Sequence, residues 1–173
     1  DGSVREGAYA ELARCGWAFV VCDSSGTVVA AAYGLPPPCI DNIGGAEAWA
    51  MFQVALVSVP GPEPFWADCL PLVQAVHKGS GVGQDPKNSL ARVHALLHAA
   101  IDDVDPECFG WMPAHLTADD VNRAMKSDGS LVTAIDKGSN DLADALAKKG
   151  VEFHRVMASD LSRWELQANR VKA

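Results

Sequence analysis

Four acidic side chains stand in four short, separately recognisable contexts: Asp1 in DGS, Glu47 in GGAEAWA, Asp68 in FWADCL and Asp144 in SNDLADALA. Three of the four lie in mostly apolar surroundings, where a lone carboxylate is costly to bury. Carboxylates spread along a chain are tolerated when they converge on divalent cations, which take hard oxygen ligands. That convergence is the chemistry these residues suggest. Each acid also has a plainer reading. Glu47 follows two glycines at the start of a helix, where a carboxylate also compensates the helix dipole. Asp68 ends an apolar strand, at the edge where α/β sheets bind ligands, yet it also suits an N-cap for the next helix. Asp144 falls at the rim of a helix's apolar face and could be solvated there. No single acid carries the case.

The elements that must position them follow from hydrophobic periodicity. Residues 16–23 (GWAFVVCD) and 27–33 (TVVAAAY) read as the strands of a hairpin around the Ser24-Ser25-Gly26 turn. Residues 46–57 read as a helix with Trp49, Phe52 and Leu56 on one face, ended by Gly61 and its flanking prolines. A short strand at 64–68, a helix at 70–77 with Pro71 in its first turn, a glycine loop at 79–83 and a helix at 90–101 capped by Asn88 or Ser89 come next. A strand at 108–112 and a helix at 139–149 stopped by Gly150 complete the pattern. This order predicts a mixed sheet with helices packed on it, an α/β layered fold. Trp17, Trp49, Trp66 and Trp111 occupy core-type positions.

Bulk properties narrow the function. At 173 residues the chain is long enough for one domain with a proper core. No apolar run reaches the roughly 18 residues of a membrane helix, so no membrane partner is expected. The net charge of −8 argues against gripping nucleic acid by phosphate neutralisation. It is compatible with phosphate contact through bound cations, which reverse the local sign. Five cysteines with no CxxC pair favour reduced thiols in an intracellular, reducing compartment, nucleus and cytoplasm being indistinguishable. The first residue is not Met, which reads as a piece of a longer polypeptide.

Taken together, the motifs resemble the type 1 ribonuclease H domain, in the form found in retroelement reverse transcriptase polyproteins. The resemblance rests on five fragments in order: DGS opening a hairpin, Glu47 in the first turn of a helix, Asp68-Cys69 ending a strand, Trp111-Met112-Pro113-Ala114-His115, and Asn140-Asp141-Leu142-Ala143-Asp144-Ala145-Leu146-Ala147. It covers residues 1 to about 149. It implies a mixed five-stranded sheet of order 3-2-1-4-5 with helices on both faces and a truncated first strand. The domain would run over 1–157, with 116–138 as an insertion and 158–173 as a polar, helical tail.

The resemblance further implies an endonuclease that hydrolyses the RNA strand of RNA–DNA hybrids and is fused to a reverse transcriptase. Asp1, Glu47, Asp68 and Asp144 would hold two Mg²⁺ (or Mn²⁺) ions, which stabilise the entering and leaving oxygens of an in-line displacement. His115 would shuttle protons or aid product release. Gly2, Ser3, Asn42, Gly44, Gly45 and Cys69 would contact the substrate, whose 2′-hydroxyls distinguish RNA.

The chain departs from that pattern at several points. Gly44 replaces an asparagine common in the family, and 28 residues lie between His115 and Asp144. A free α-amine at Asp1 would add positive charge beside the acids. The alternative is a catalytically silent domain of the same fold that binds nucleic acid or tethers the polyprotein. A transposase or integrase is disfavoured, because those acidic sets end in Glu. His94 and His98, one helical turn apart, could bind a metal but lack the glutamate of HExxH, which favours ordinary packing.

Overall fold

The computed structural model describes residues 1–5, 13–57, 64–101, 106–153 and 157–172. β1 (Gly2–Arg5), β2 (Arg14–Cys22) and β3 (Val28–Gly34) form an antiparallel sheet in the order β1-β2-β3. The hairpin turn is closed by Asp23, whose carboxylate accepts from the Ser25 amide at 2.9 Å and the Thr27 amide at 3.0 Å. Such local side-chain bonding is the usual chemistry of an Asx turn. β4 (Phe65–Ala67) and β5 (Phe109–Trp111) form a second, parallel sheet.

The expected five-stranded sheet of order 3-2-1-4-5 is therefore corrected to two sheets, of three and two strands. Among the described residues no ladder joins β1 to β4. The strands involved are four and three residues long, and β1 spends its ladder on β2, pairing Gly2 with Trp17 and Ser3 with Gly16.

Helices join what the strands do not. Gly2 and Trp17 share one face of the first sheet, Ser3 and Gly16 the other. On the first face the Gly2 backbone meets α1 (Ile43–Val57) at Ala46 and Glu47. On the second, Gly16 meets α5 (Ala134–Glu152) at Ala147 and Val151. α2 (Leu70–His77) and α4 (Ala91–Ala100) pack with α1 and the second sheet around Met51, Leu72, Val76, Leu97 and the fully buried Phe109. α3 (Ser80–Gly83) is a short helix where a loop was expected, and α6 (Ala158–Lys172) forms the C-terminal helix. No helix of the described residues is long and apolar enough to cross a membrane. Gly61, expected to end α1, lies outside the described residues.

Three helix starts differ from the sequence expectation. α4 begins at Ala91 with Leu90 at its cap position and no side-chain cap bond, so neither Asn88 nor Ser89 caps it. α1 begins at Ile43, because Asn42 caps it: its side-chain oxygen accepts from the Gly45 amide at 2.9 Å. α5 begins at Ala134, five residues before the expected start, and runs through Gly150 to Glu152. Its start is a reciprocal capping box, with Thr133 accepting from the Asp136 amide and Asp136 accepting from Thr133. Burial would raise the Asp136 carboxyl, but its bonds to Thr133 and Lys126 outweigh that and hold it below the usual range. Lys126 stands 3.1 Å from Asp136 and 4.1 Å above the Trp66 ring, tying the 116–133 segment to α5 and to the second sheet. All five cysteines are free; Cys15 is buried, and burial with Asp41 pushes its thiol up to about 11.

Removing the cap tests this assignment. Thr133→Ala should cost about 1 kcal/mol of unfolding free energy, read by urea titration with circular dichroism. An unchanged midpoint would contradict the capping box as the start of α5.

Candidate functional site

The sequence-predicted acids come to one place. Asp1, Glu47, Asp68 and Asp144 line a cleft of about 380 Å³, together with Gly2, Ser3, Gly44, Cys69, His115, Asn140 and Lys148. Each arrives from a different element. Asp1 precedes β1 and its backbone bonds to Ala18 of β2 in both directions, at 2.9 and 3.0 Å. Glu47 sits in the second turn of α1, so it is not the first-turn dipole partner that the expected helix start suggested. Asp68 follows β4, where the Trp111 indole donates to its carbonyl at 3.1 Å. His115 follows β5 on an exposed, left-handed residue with φ of 52°. Asn140, Asp144 and Lys148 recur every fourth residue of α5 and so form one stripe facing the cleft.

Three of the four carboxylates, those of Glu47, Asp68 and Asp144, meet a donor from within the chain. The terminal ammonium of Asp1 stands 3.7 Å from Glu47. Asn140 donates to Asp68 across 3.4 Å, and Lys148 donates to Asp144 at 2.5 Å. Glu47 is only 8% exposed, and its carboxyl lies above the ordinary value. Burial is the main cause, the Asp1 ammonium opposes it and the Asp68 charge adds to it. The Cys69 thiol is also raised, chiefly by burial. Of the remaining expected contacts, Gly45 is buried against Ile40 and Leu90, and Asn42 caps α1; neither lines the cleft.

Sharing a cleft is a looser condition than sharing an ion. Among the described residues no group of three or more His, Cys, Asp or Glu side chains is disposed to hold a metal ion. Metal–oxygen bonds of about 2.0–2.6 Å demand ligand atoms packed around one point. Here Asp144 turns to Lys148 and Asp68 to Asn140 instead. The expectation of two Mg²⁺ or Mn²⁺ ions, and with it the two-ion ribonuclease activity and the ribonuclease H resemblance, is corrected on this ground and on the divided sheet. His94 and His98 likewise belong to no such group.

The sequence reading missed Asn140 and Lys148 as partners of the acids. Their spacing from Asp144, four residues either way, was the available signal, since side chains at that interval meet on a helix. Comparison with protein-family models, with curated proteins and with solved structures finds no match. The class the architecture defines is a small α/β domain with two separate sheets and an acid-lined cleft.

The raised Glu47 carboxyl makes a pH prediction. The folded state holds its proton more tightly than the unfolded chain. Stability is therefore full below the unfolded carboxyl value and declines as pH rises through the folded one. Glu47→Gln should remove that decline, melting higher than the parent at pH 7–8 and converging with it near pH 4. Calorimetric melting across pH 4–8 reads the effect, and a variant that is less stable only at neutral pH would contradict it.

Proposed function

We propose that the chain is a non-catalytic binding module whose cleft holds a basic segment of a protein partner, tethering it within a longer polypeptide. The carrying observation is the gathering of Asp1, Glu47, Asp68 and Asp144 around one cleft in a chain of net charge −8. Against these four, Lys148 supplies a positive charge beside Asp144, while Asp68 receives only an amide. The local field therefore favours a lysine or arginine side chain, and it steers such a partner from a distance. Arginine fits best, since its planar fork satisfies a carboxylate through two hydrogen bonds. Fusion to a reverse transcriptase is the context proposed for the tether.

A second reading, binding of an uncut RNA–DNA hybrid, draws on the donors Asn140 and Lys148 and on His115 at the same cleft. The acidic lining weighs against it, because phosphates would meet carboxylates first.

Fluorescence anisotropy separates the readings, using a labelled octa-arginine peptide and a labelled RNA–DNA hybrid with Mg²⁺ present. The peptide should bind, weaken at least threefold in Asp68→Asn, and keep its affinity in Asp128→Asn, which removes an acid outside the cleft. The hybrid should remain unbound and intact. Equal loss in both variants would reduce the effect to net charge and sink the cleft reading. Binding of intact hybrid would favour the second reading, and hydrolysis of the hybrid would overturn both.

A further inference from the structure

α3 is held by an unusual contact. The backbone of Gly83 packs closely on the His94 ring: a Cβ there would stand 2.9 Å from both Cγ and Nδ1 of that imidazole. His94 is 6% exposed, and its Nδ1 is buried with no hydrogen-bond partner. One turn along α4, His98 also buries a ring nitrogen, Nε2, with no partner. The orphaned His94 nitrogen under Gly83 is a standing cost to the docked state, since a buried polar atom normally finds a partner, and His98 carries a second such cost one turn along the same helix.

Among the described residues the groups around them offer no relief. α1, which packs on α4, carries Glu47 as its single titratable side chain, and that carboxylate lines the cleft beside Asp1. α3 carries no titratable side chain. On α4 the other charge is Arg92, which is exposed. In the linker to α4, Asp85 is exposed and accepts from the Lys87 amide, and Lys87 is cationic. α2, which packs on α3, contributes His77, whose Nε2 is engaged with the Phe109 carbonyl at 2.8 Å. Among the described residues no carboxylate stands ready to receive a protonated His94 or His98.

We propose that His94 and His98 form an acid-sensitive latch that docks α3 on α4 when neutral and releases it when either ring is protonated. Burial holds both rings below the ordinary histidine value, and for His94 the neighbouring His98 adds to this. The sign follows: docking is complete above the unfolded histidine value of about 6.5 and is lost as pH falls below it. Gly79, with φ of 82° and open space around its α-carbon, supplies a hinge before α3.

The latch connects to the cleft through a short chain of contacts. Asn88 donates to the Gly83 carbonyl at 3.0 Å and accepts from the Leu90 amide at 2.9 Å. Leu90 in turn packs on Gly44 and Gly45, at the α1 end that borders the cleft. Release of α3 therefore loosens the residue that backs Gly44. This inference rests on the packing of α3 and α4 and not on the identity of the cleft's partner.

Hydrogen exchange of the whole chain at pH 7.5 and 5.5, corrected for intrinsic rates, tests it. Amides of 80–90 should exchange at least tenfold faster at the lower pH while those of α5 keep their protection. His94→Phe, which keeps a ring under Gly83 without an ionisable nitrogen, should abolish most of that response. Histidine ring titrations by NMR on the unaltered protein give a readout that does not depend on the variant folding. Either ring titrating at or above pH 6.5, no change at 80–90, or equal loss of protection in α5 would overturn the latch.

Discussion

The arrangement depends on how closely α5 approaches the first sheet. At Gly16 any Cβ would overlap the Ala147 carbonyl oxygen and press on Val151; at Gly150 it would stand 2.8 Å from the Gly34 oxygen. Glycine is required at such points because backbone meets backbone. The seam is sealed on either side by the buried Ala143, Ala147 and Val151 and by Tyr33 stacked on Phe153. A helix seated this deep has its rotation fixed. Its Asn140–Asp144–Lys148 stripe must then face the cleft between the two sheets.

That seam also explains how two small sheets act as one scaffold without a shared ladder. α5 spans from the hairpin to Asp68 through Asn140, and Lys126 links its first turn to Trp66 of β4. α1 completes the bridge, resting on Gly2 at one end and on the Met51–Phe109 core along its length. Side chains from five segments therefore reach one cleft. What they do there is set by their partners: three of the four acids turn to a donor of the chain itself.

Much of the local structure was legible because it is written in short-range pattern. Residues 16–33 carry aromatic and β-branched runs around a Ser-Ser-Gly turn, as a hairpin should, and the apolar runs at 65–67 and 109–111 are strands. The start of α5 was missed because Gly138 interrupts the helical pattern; the signal was the Thr133-x-x-Asp136 box. Gly150 read as a stop because isolated glycine ends helices, whereas here tertiary contact with Gly34 retains it inside one. Sheet order escaped for a different reason. Pairing between distant strands leaves no periodic trace, so only a borrowed template supplied it, and the template was wrong. The acids show the same boundary: their segments could be expected to meet, but whether their oxygens surround one point is a matter of ångströms that spacing does not encode.

The glycine seam is tested most directly by comparing alanine substitutions at two glycines along the path of α5. Gly138→Ala enters open space on the helix surface and should stabilise the protein by about 0.5–1 kcal/mol. Gly16→Ala should cost roughly 3 kcal/mol, the upper range of overpacking, and should shift the NMR signals of Asn140 and Asp68 as α5 is lifted away. If Gly16→Ala proved neutral, or destabilised the protein while leaving those signals in place, close approach of α5 would not be what positions the cleft.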